Sequence, residues 1–261
     1  MTMKDAPDKY APELGDWRLM VAGWITAIDN ISLDEPKSYR GSTWFQDKTG
    51  AEVSFPTPSA AALHLSAAWK AAKRAHALKE GLMIHLFNAN GKPTVQASEE
   101  RIPELFDYFE EMMCVAMNSF GAIEAFCNQT VVEKGGSAVT LLRRKKVRMS
   151  KTPEEVEREV STDEKLGRIV PELLGIRTPR GIATWDLYLG VKQIRDAVTH
   201  FKRRDQMRHA DQSNEPTALL ALYRIDCFRL PEDAMKVIRH FQPDGALQRW
   251  MLNPAWTRDA P

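Results

Sequence analysis

The sequence predicts a mainly helical protein with a smaller mixed α/β region at its N-terminal end. Two long segments, Glu104 to Lys134 and Trp185 to Arg204, carry apolar residues at three- and four-residue steps, the spacing of a helix with one buried face. A third, Ser59 to Glu80, is Ala-rich and contains neither Pro nor an interior Gly. Within residues 1–100, by contrast, short runs of strand-forming residues are bounded by turn residues. The domain organisation expected is therefore a mixed α/β region over 1–100 and a helical domain over 101–261.

Taken in order, residues 1–16 are polar and contain two Pro. From Trp17 to Ile31 the positions Trp17, Val21, Trp24, Ile28 and Ile31 fit a helix, which is the assignment made here, although Leu19, Val21 and Ile25 also allow a strand. Residues 39–56 read as a hairpin, Trp44 to Gln46 and Val53 to Phe55 around a turn at Asp47 to Gly50. Leu82 to Phe87 reads as a short strand ending in the turn Asn90-Gly91. In Glu104 to Lys134 the expected buried stripe is Phe106, Phe109, Met113, Ala116, Phe120, Ile123 and Cys127, ended by Gly135 and Gly136. Glu124 falls beside that stripe with Asn128 four residues on. It reads either as a rim carboxylate or as a group turned toward the later motif helix. Helices are expected at Pro153 to Val160 and Asp163 to Leu174, the second burying Leu166, Ile169, Val170 and Leu173. Two more are expected at Pro216 to Phe228 and Glu232 to Phe241, with Pro231 between them.

Composition narrows the function classes. With 43% hydrophobic and 27% charged residues the chain is an ordinary globular protein rather than a disordered or fibrous one. The opening residues have no apolar leader core, and no uninterrupted apolar run reaches about 18 residues, so a cytoplasmic protein without a membrane span is expected. Three Cys do not make a disulfide framework. Cys114 and Cys127 share one helix, about 20 Å apart, and the thiols are expected to be reduced and buried. No cluster has metal-ligand spacing, so neither a metal nor another cofactor is expected. There is no internal repeat, P-loop, dinucleotide fingerprint or nucleophile elbow. Charge is uneven: residues 1–134 carry 13 Lys and Arg against 18 Asp and Glu, residues 135–261 carry 23 against 17. The positive half suits a polyanion.

The chemistry-bearing residues gather in Trp185 to Arg204, WDLYLGVKQIRDAVTHFKRR. Leu187, Val191, Ile194, Val198 and Phe201 form the expected apolar stripe, with Arg195, Asp196 and His200 off it. Asp196 and His200 are four apart, about 40° around a helix, close enough for the carboxylate to orient the imidazole. Arg195 and His200 are five apart, separated by about 140° and about 7.5 Å of rise. A straight helix does not set them side by side, so the Arg stem must close the gap or a second copy of the chain must complete the site. Two basic groups flank this helix in sequence: Arg143, Arg144, Lys145 and Lys146 before it, and Lys202, Arg203 and Arg204 at its end. Each is a candidate RNA-binding surface through phosphate neutralisation, and equally a solvated loop or helix end.

Ile194, Arg195, Asp196, Ala197, Val198, Thr199, His200 resembles the signature of the HEPN superfamily (higher eukaryote and prokaryote nucleotide-binding domains), R-x4-6-H with Asn, Asp or His commonly after the Arg. With the helix layout, the resemblance covers residues 104–241. It implies an antiparallel helical bundle and a metal-independent endoribonuclease leaving a 2′,3′-cyclic phosphate. Arg195 would stabilise the crowded phosphate, His200 would transfer protons, Asp196 would fix the imidazole, and Glu124 would hold Arg195 or His200. It implies RNA as partner and a homodimer, since one His per chain supplies one acid-base group where the reaction wants two. By analogy the setting is a toxin-antitoxin or anti-phage defence system, with an antitoxin or regulatory partner and with residues 1–100 sensing a trigger or docking that partner. Lys202 stands where one toxin subtype carries a Tyr for adenylylation, which argues against that subtype. The rival reading is a HEPN-like module that binds RNA or nucleotide, or only dimerises, without cutting.

Overall fold

Fixed turn chemistry and two long amphipathic helices set the element order. In the computed structural model, residues 16–20, 22–28, 31–142, 148–202, 205, 217–242 and 248–252 are described. The strands are β1 (Ala22–Ile28), β2 (Ile31–Arg40), β3 (Ser42–Gln46), β4 (Glu52–Pro56), β5 (Met83–Phe87), β6 (Pro93–Ala97), β7 (Val139–Leu142) and β8 (Arg148–Lys151). They pair in sequence as four two-stranded antiparallel hairpins. The helices are α1 (Ala60–Lys79), α2 (Ile102–Lys134), α3 (Pro153–Glu159), α4 (Thr162–Glu164), α5 (Val170–Leu174), α6 (Ala183–Thr199), α7 (Ala218–Arg224) and α8 (Arg229–His240), with a π-helical turn at Lys165–Ile169. The protein is mainly helical, and it forms two compact units, residues 1–63 with 242–261 and residues 64–241. Among the described residues no helix is long and apolar enough to cross a membrane.

In the first unit, the helix expected over Trp17 to Ile31 is instead strand β1, paired with β2. Trp24, Ile25 and Thr26 are aromatic or β-branched, side chains that lose rotamer freedom in a helix and suit a pleated surface. Their backbone partner, residues 31–40, lies just downstream, and apolar spacing alone does not register it. The hairpin read from residues 39–56 is present as β3 and β4. Asp47 closes it, its Oδ1 accepting from the Thr49 N–H (2.8 Å), the Thr49 hydroxyl (2.6 Å) and the Ala51 N–H (3.0 Å).

The second unit is built on α2. Pro103 stands in its first turn, and the Gly135 N–H returns to Val131 O at 2.8 Å to end it. The C-terminal half buries Ala116, Phe120, Ile123 and Cys127 as the spacing predicts. The N-terminal half is turned by one residue. Leu105, Tyr108 and Met112 are buried, whereas Phe109 and Met113 are half-buried and Phe106 is 59% exposed. Tyr108 sets this phase: its ring is fully enclosed while its hydroxyl donates to Leu222 O at 3.1 Å, so the polar atom is satisfied inside the core. α2 packs against α6, α7 and α8. α1 joins it through Arg74, whose Nε and NH2 hold the Glu111 carboxylate at 2.5 and 2.8 Å, and joins α8 through the rings of Trp69 and Phe228, 5.5 Å apart.

Several boundaries differ from the sequence reading. α7 is confined to Ala218–Arg224, and Pro231 lies within the first turn of α8 rather than between two helices, a place where its missing N–H costs nothing. The helix expected over Asp163 to Leu174 is present but passes through the π turn. Pro171 cannot donate to Gly167 O, and the Thr178 hydroxyl does so at 2.6 Å instead. In that segment Leu173 is only half-buried. Cys127 and Cys227 are buried free thiols, but Cys114 is exposed, because it lies on the outer side of α2. Rotation of α2 has a direct consequence for stability. Met112→Ala is expected to cost about 2–5 kcal/mol in urea unfolding, and Phe106→Ala no more than about 0.5 kcal/mol. The reverse order would return the helix to the phase read from sequence.

Candidate functional site: the two clefts of the motif helix

α6 buries Val191 and Val198 as the spacing predicts, but Tyr188 in place of Leu187. Its buried positions are Tyr188, Val191 and Val198, while Leu187 and Ile194 are half-buried and Phe201 is exposed beyond the helix end. Steps of three, four and three place Arg195 on this buried stripe, not off it as the sequence reading has it. Its guanidinium lies over the Phe120 ring of α2, 3.8 Å from carbon to centroid, and Phe120 stacks with Tyr188 at 6.3 Å. Nη1 meets Asp196 Oδ1 at 3.0 Å, and Nε is buried with no hydrogen-bond partner among the described residues. The guanidinium is thus held in place with donor capacity that these neighbours do not use.

Arg195 opens onto a cleft of about 450 Å³ shared with Glu124 and Asn128 of α2, His64 of α1 and Thr199. Glu124 is exposed at the rim of this cleft and accepts from the Thr162 hydroxyl at 3.0 Å, with no hydrogen bond to Arg195 or His200 among the described residues. Behind Asn128 stands Lys165, 1% exposed, whose ammonium donates to Asn128 Oδ1 and to Glu157 O, both at 2.7 Å. Burial pushes the Lys165 ammonium below its ordinary range, and the neighbouring Glu124, Cys127 and Glu157 push back. Burial also lifts the Cys127 thiol to about 12, against the pull of Lys165, so it stays a thiol. Lys165 sits at the start of the π turn, which brings it inward.

His200 lies elsewhere. The helix ends at Thr199, and His200 caps it with φ −124° and ψ 67°, exposed, its N–H on Asp196 O at 3.0 Å. The Asp196 carboxylate is engaged by Arg195, so backbone and not carboxylate joins Asp196 to His200. His200 and Asp196 line a second cleft of about 880 Å³ with Lys192, Gln193, Lys202 and Asp205. Here Asp205 fixes the floor, accepting from the Lys202 N–H and the Ala218 N–H, both at 2.7 Å. One chain therefore brings Arg195 and Glu124 together, and Asp196, His200 and Lys202 together, but not Arg195 and His200. Arg203, Arg204, Arg143, Arg144, Lys145 and Lys146 lie outside the described residues.

No protein-family model, curated protein or solved structure matches this chain. Among the described residues no group of three or more His, Cys, Asp or Glu side chains is placed to hold a metal ion. The residues that sequence reasoning missed are His64, Asn118 and Lys165. One signal for the first was available: Gly121 interrupts an otherwise well-formed helix, and a Cβ there would stand 3.0 Å from the His64 ring.

One tie holds α6 to the segment before it. The Tyr188 hydroxyl donates to Asp163 Oδ1, and Lys192 Nζ to Asp163 Oδ2 at 2.6 Å. Burial, then the Asp163 bond, raise the Tyr188 phenol well above its ordinary range. Asp163 is itself held low: burial opposes this, but the bonds from Lys192 and Tyr188 and the charges of Lys192 and Arg180 prevail. An unfolded Tyr releases its proton near about pH 10 and the folded one keeps it, so the native state binds more protons above that pH. This contribution is complete below about pH 10 and is lost as pH rises past it. Tyr188→Phe is expected to cost about 1–2 kcal/mol at pH 8 and to lessen the fall in urea midpoint between pH 9.5 and pH 11. An unchanged alkaline slope in the variant would contradict the assignment.

Proposed function

We propose that the chain is a metal-independent endoribonuclease of HEPN type, cutting RNA by 2′-hydroxyl attack to leave a 2′,3′-cyclic phosphate, as a toxin or anti-phage defence effector in the cytoplasm. The observation that carries this reading is the state of Arg195: a guanidinium held over Phe120 and beside Asp196, lining an open cleft with Glu124, its Nε buried and without a partner among the described residues. Guanidinium is always charged and offers a planar fork of donors, the group best matched to a phosphate crowded by a fifth oxygen. His200, exposed at the end of the same helix and lining the second cleft with Lys202, supplies proton transfer. Lys202, with Arg203, Arg204 and the run Arg143, Arg144, Lys145 and Lys146, is assigned to the RNA backbone.

Because Arg195 and His200 open onto separate clefts of one chain, the active site in this reading is composite: a homodimer lays the His200 of one subunit against the Arg195 cleft of the other. Asp196 holds the guanidinium from beside and Glu124 closes the far side of the cleft. An antitoxin or other regulatory partner would keep the activity off.

The same separation favours a second reading, a non-catalytic HEPN-like module that binds RNA or nucleotide or only dimerises, in which Arg195 serves packing. Incubation with total RNA and tRNA in EDTA, with end-group analysis, separates the two. The enzyme reading expects cyclic-phosphate products from wild type and a loss of about 10²–10⁴-fold in a folded His200→Ala. Mixing inactive Arg195→Ala with inactive His200→Ala should restore about a quarter of wild-type activity, since half the dimers are mixed and each carries one intact site. Equal cleavage by wild type and His200→Ala would sink the site assignment, no recovery on mixing would sink the composite site, and RNA binding without cleavage by any protein would leave the module.

A further inference from the structure

The reaction proposed above needs a base for the 2′-hydroxyl and an acid for the leaving 5′-oxygen, and a second imidazole already stands in the Arg195 cleft. His64, half-buried on α1, has Nδ1 3.0 Å from Asn118 Oδ1. The orientation of that amide is not free, because Asn118 Nδ2 donates to Cys114 O at 2.9 Å, leaving the oxygen toward His64. An amide oxygen only accepts, so in the neutral ring the proton sits on Nδ1 and Nε2 holds the lone pair. Nε2 makes no hydrogen bond among the described residues. The ring is seated from a second side by Gly121, whose missing Cβ would come within 3.0 Å of it. A tautomer fixed by Asn118, a ring position fixed by Gly121 and an open Nε2 are what a base requires, and a packed structural histidine needs none of the last.

We propose that His64 is the general base of this site, a role that rests on the ribonuclease reading. Nε2 takes the 2′-hydroxyl proton as the 2′-oxygen bonds to phosphorus, while Arg195 holds the non-bridging oxygens. The bond from phosphorus to the 5′-oxygen breaks, and that oxygen leaves with the electron pair and takes a proton from His200 of the second subunit. Cyclic phosphate and a 5′-hydroxyl result, with one proton gained by His64 and one lost by His200. Water restores both. Asn118 is a positioning residue. The charged groups that face His64 across the cleft are Glu124 of α2 and Arg195 of α6, with Lys165 behind Asn128.

Two measurements test this together: kcat and KM against pH for wild type, His64→Gln and Asn118→Ala, and the imidazole ¹⁵N spectrum of wild type titrated with adenosine 2′-monophosphate. The expected result is a His64 Nε2 resonance that moves with the nucleotide. Folded His64→Gln should lose kcat by about 100-fold or more with KM little changed, and should lose the acidic limb of its pH profile. Asn118→Ala should lower kcat in the same sense and less. Cleavage by His64→Gln with wild-type kcat and both limbs intact would overturn the proposal, as would a His64 resonance that the nucleotide leaves in place. A moved resonance in a protein that cuts no RNA would sink the ribonuclease reading and still assign His64 to a phosphate-binding cleft.

Discussion

Everything at the candidate site depends on two polar-ended side chains on one face of α6, the buried Tyr188 and the half-buried Arg195. Tyr188 is enclosed completely because Asp163 accepts from its hydroxyl, and Arg195 is held two turns further on against Phe120. An unpaired charge inside a protein would be costly, and the ring face beneath it together with Asp196 beside it are what make the position tolerable. With that face turned inward, the guanidinium edge reaches the cleft between α2 and α6. His200, on a cap that has left the helix, lines the second cleft instead. The separation of Arg195 from His200 is thus a result of which residues α6 buries, and the two-cleft arrangement follows from it.

The same physics explains where the sequence was and was not legible. The helices α1, α2 and α6, the hairpin β3–β4 and the strand β5 could be read directly, since their signals are local: Ala-rich runs, apolar spacing, Asp47 to Gly50 and Asn90-Gly91 at turns. The burial of Tyr108 in the N-terminal half of α2 and of Tyr188 in α6 could not. A hydrophobicity pattern scores Tyr and Arg as ambiguous or polar, so it centres the stripe one residue away on Phe106 or Leu187. Only a partner far along the chain, Leu222 O for Tyr108 and Asp163 for Tyr188, makes burial of the tyrosine favourable. β1 was misread for a related reason, as its stability lies in pairing with β2 rather than in its own periodicity.

At the site itself, Glu124 and Asn128 were flagged because they interrupt an apolar face, and they do line the Arg195 cleft. Lys165 was hidden because it enters through a π turn, which shifts the phase of a helix that reads as regular. His64 was hidden because nothing local marks it. Its tautomer depends on Asn118, 54 residues away, and its seat on a glycine of another helix. Sites assembled from distant residues by packing leave their trace in the exceptions to a pattern, such as Gly121 in α2, more than in the pattern.

The account stands or falls on the claim that Arg195 is held in place for a phosphate. A crystal structure with an RNA oligonucleotide made uncleavable by 2′-O-methyl groups tests it most directly. A backbone phosphate within about 3 Å of the Arg195 guanidinium, in the cleft with Glu124 and His64, is the result predicted. RNA bound only along the His200 cleft, with Arg195 still held against Phe120 and Asp196 and its guanidinium untouched, would contradict it and leave Arg195 a packing residue.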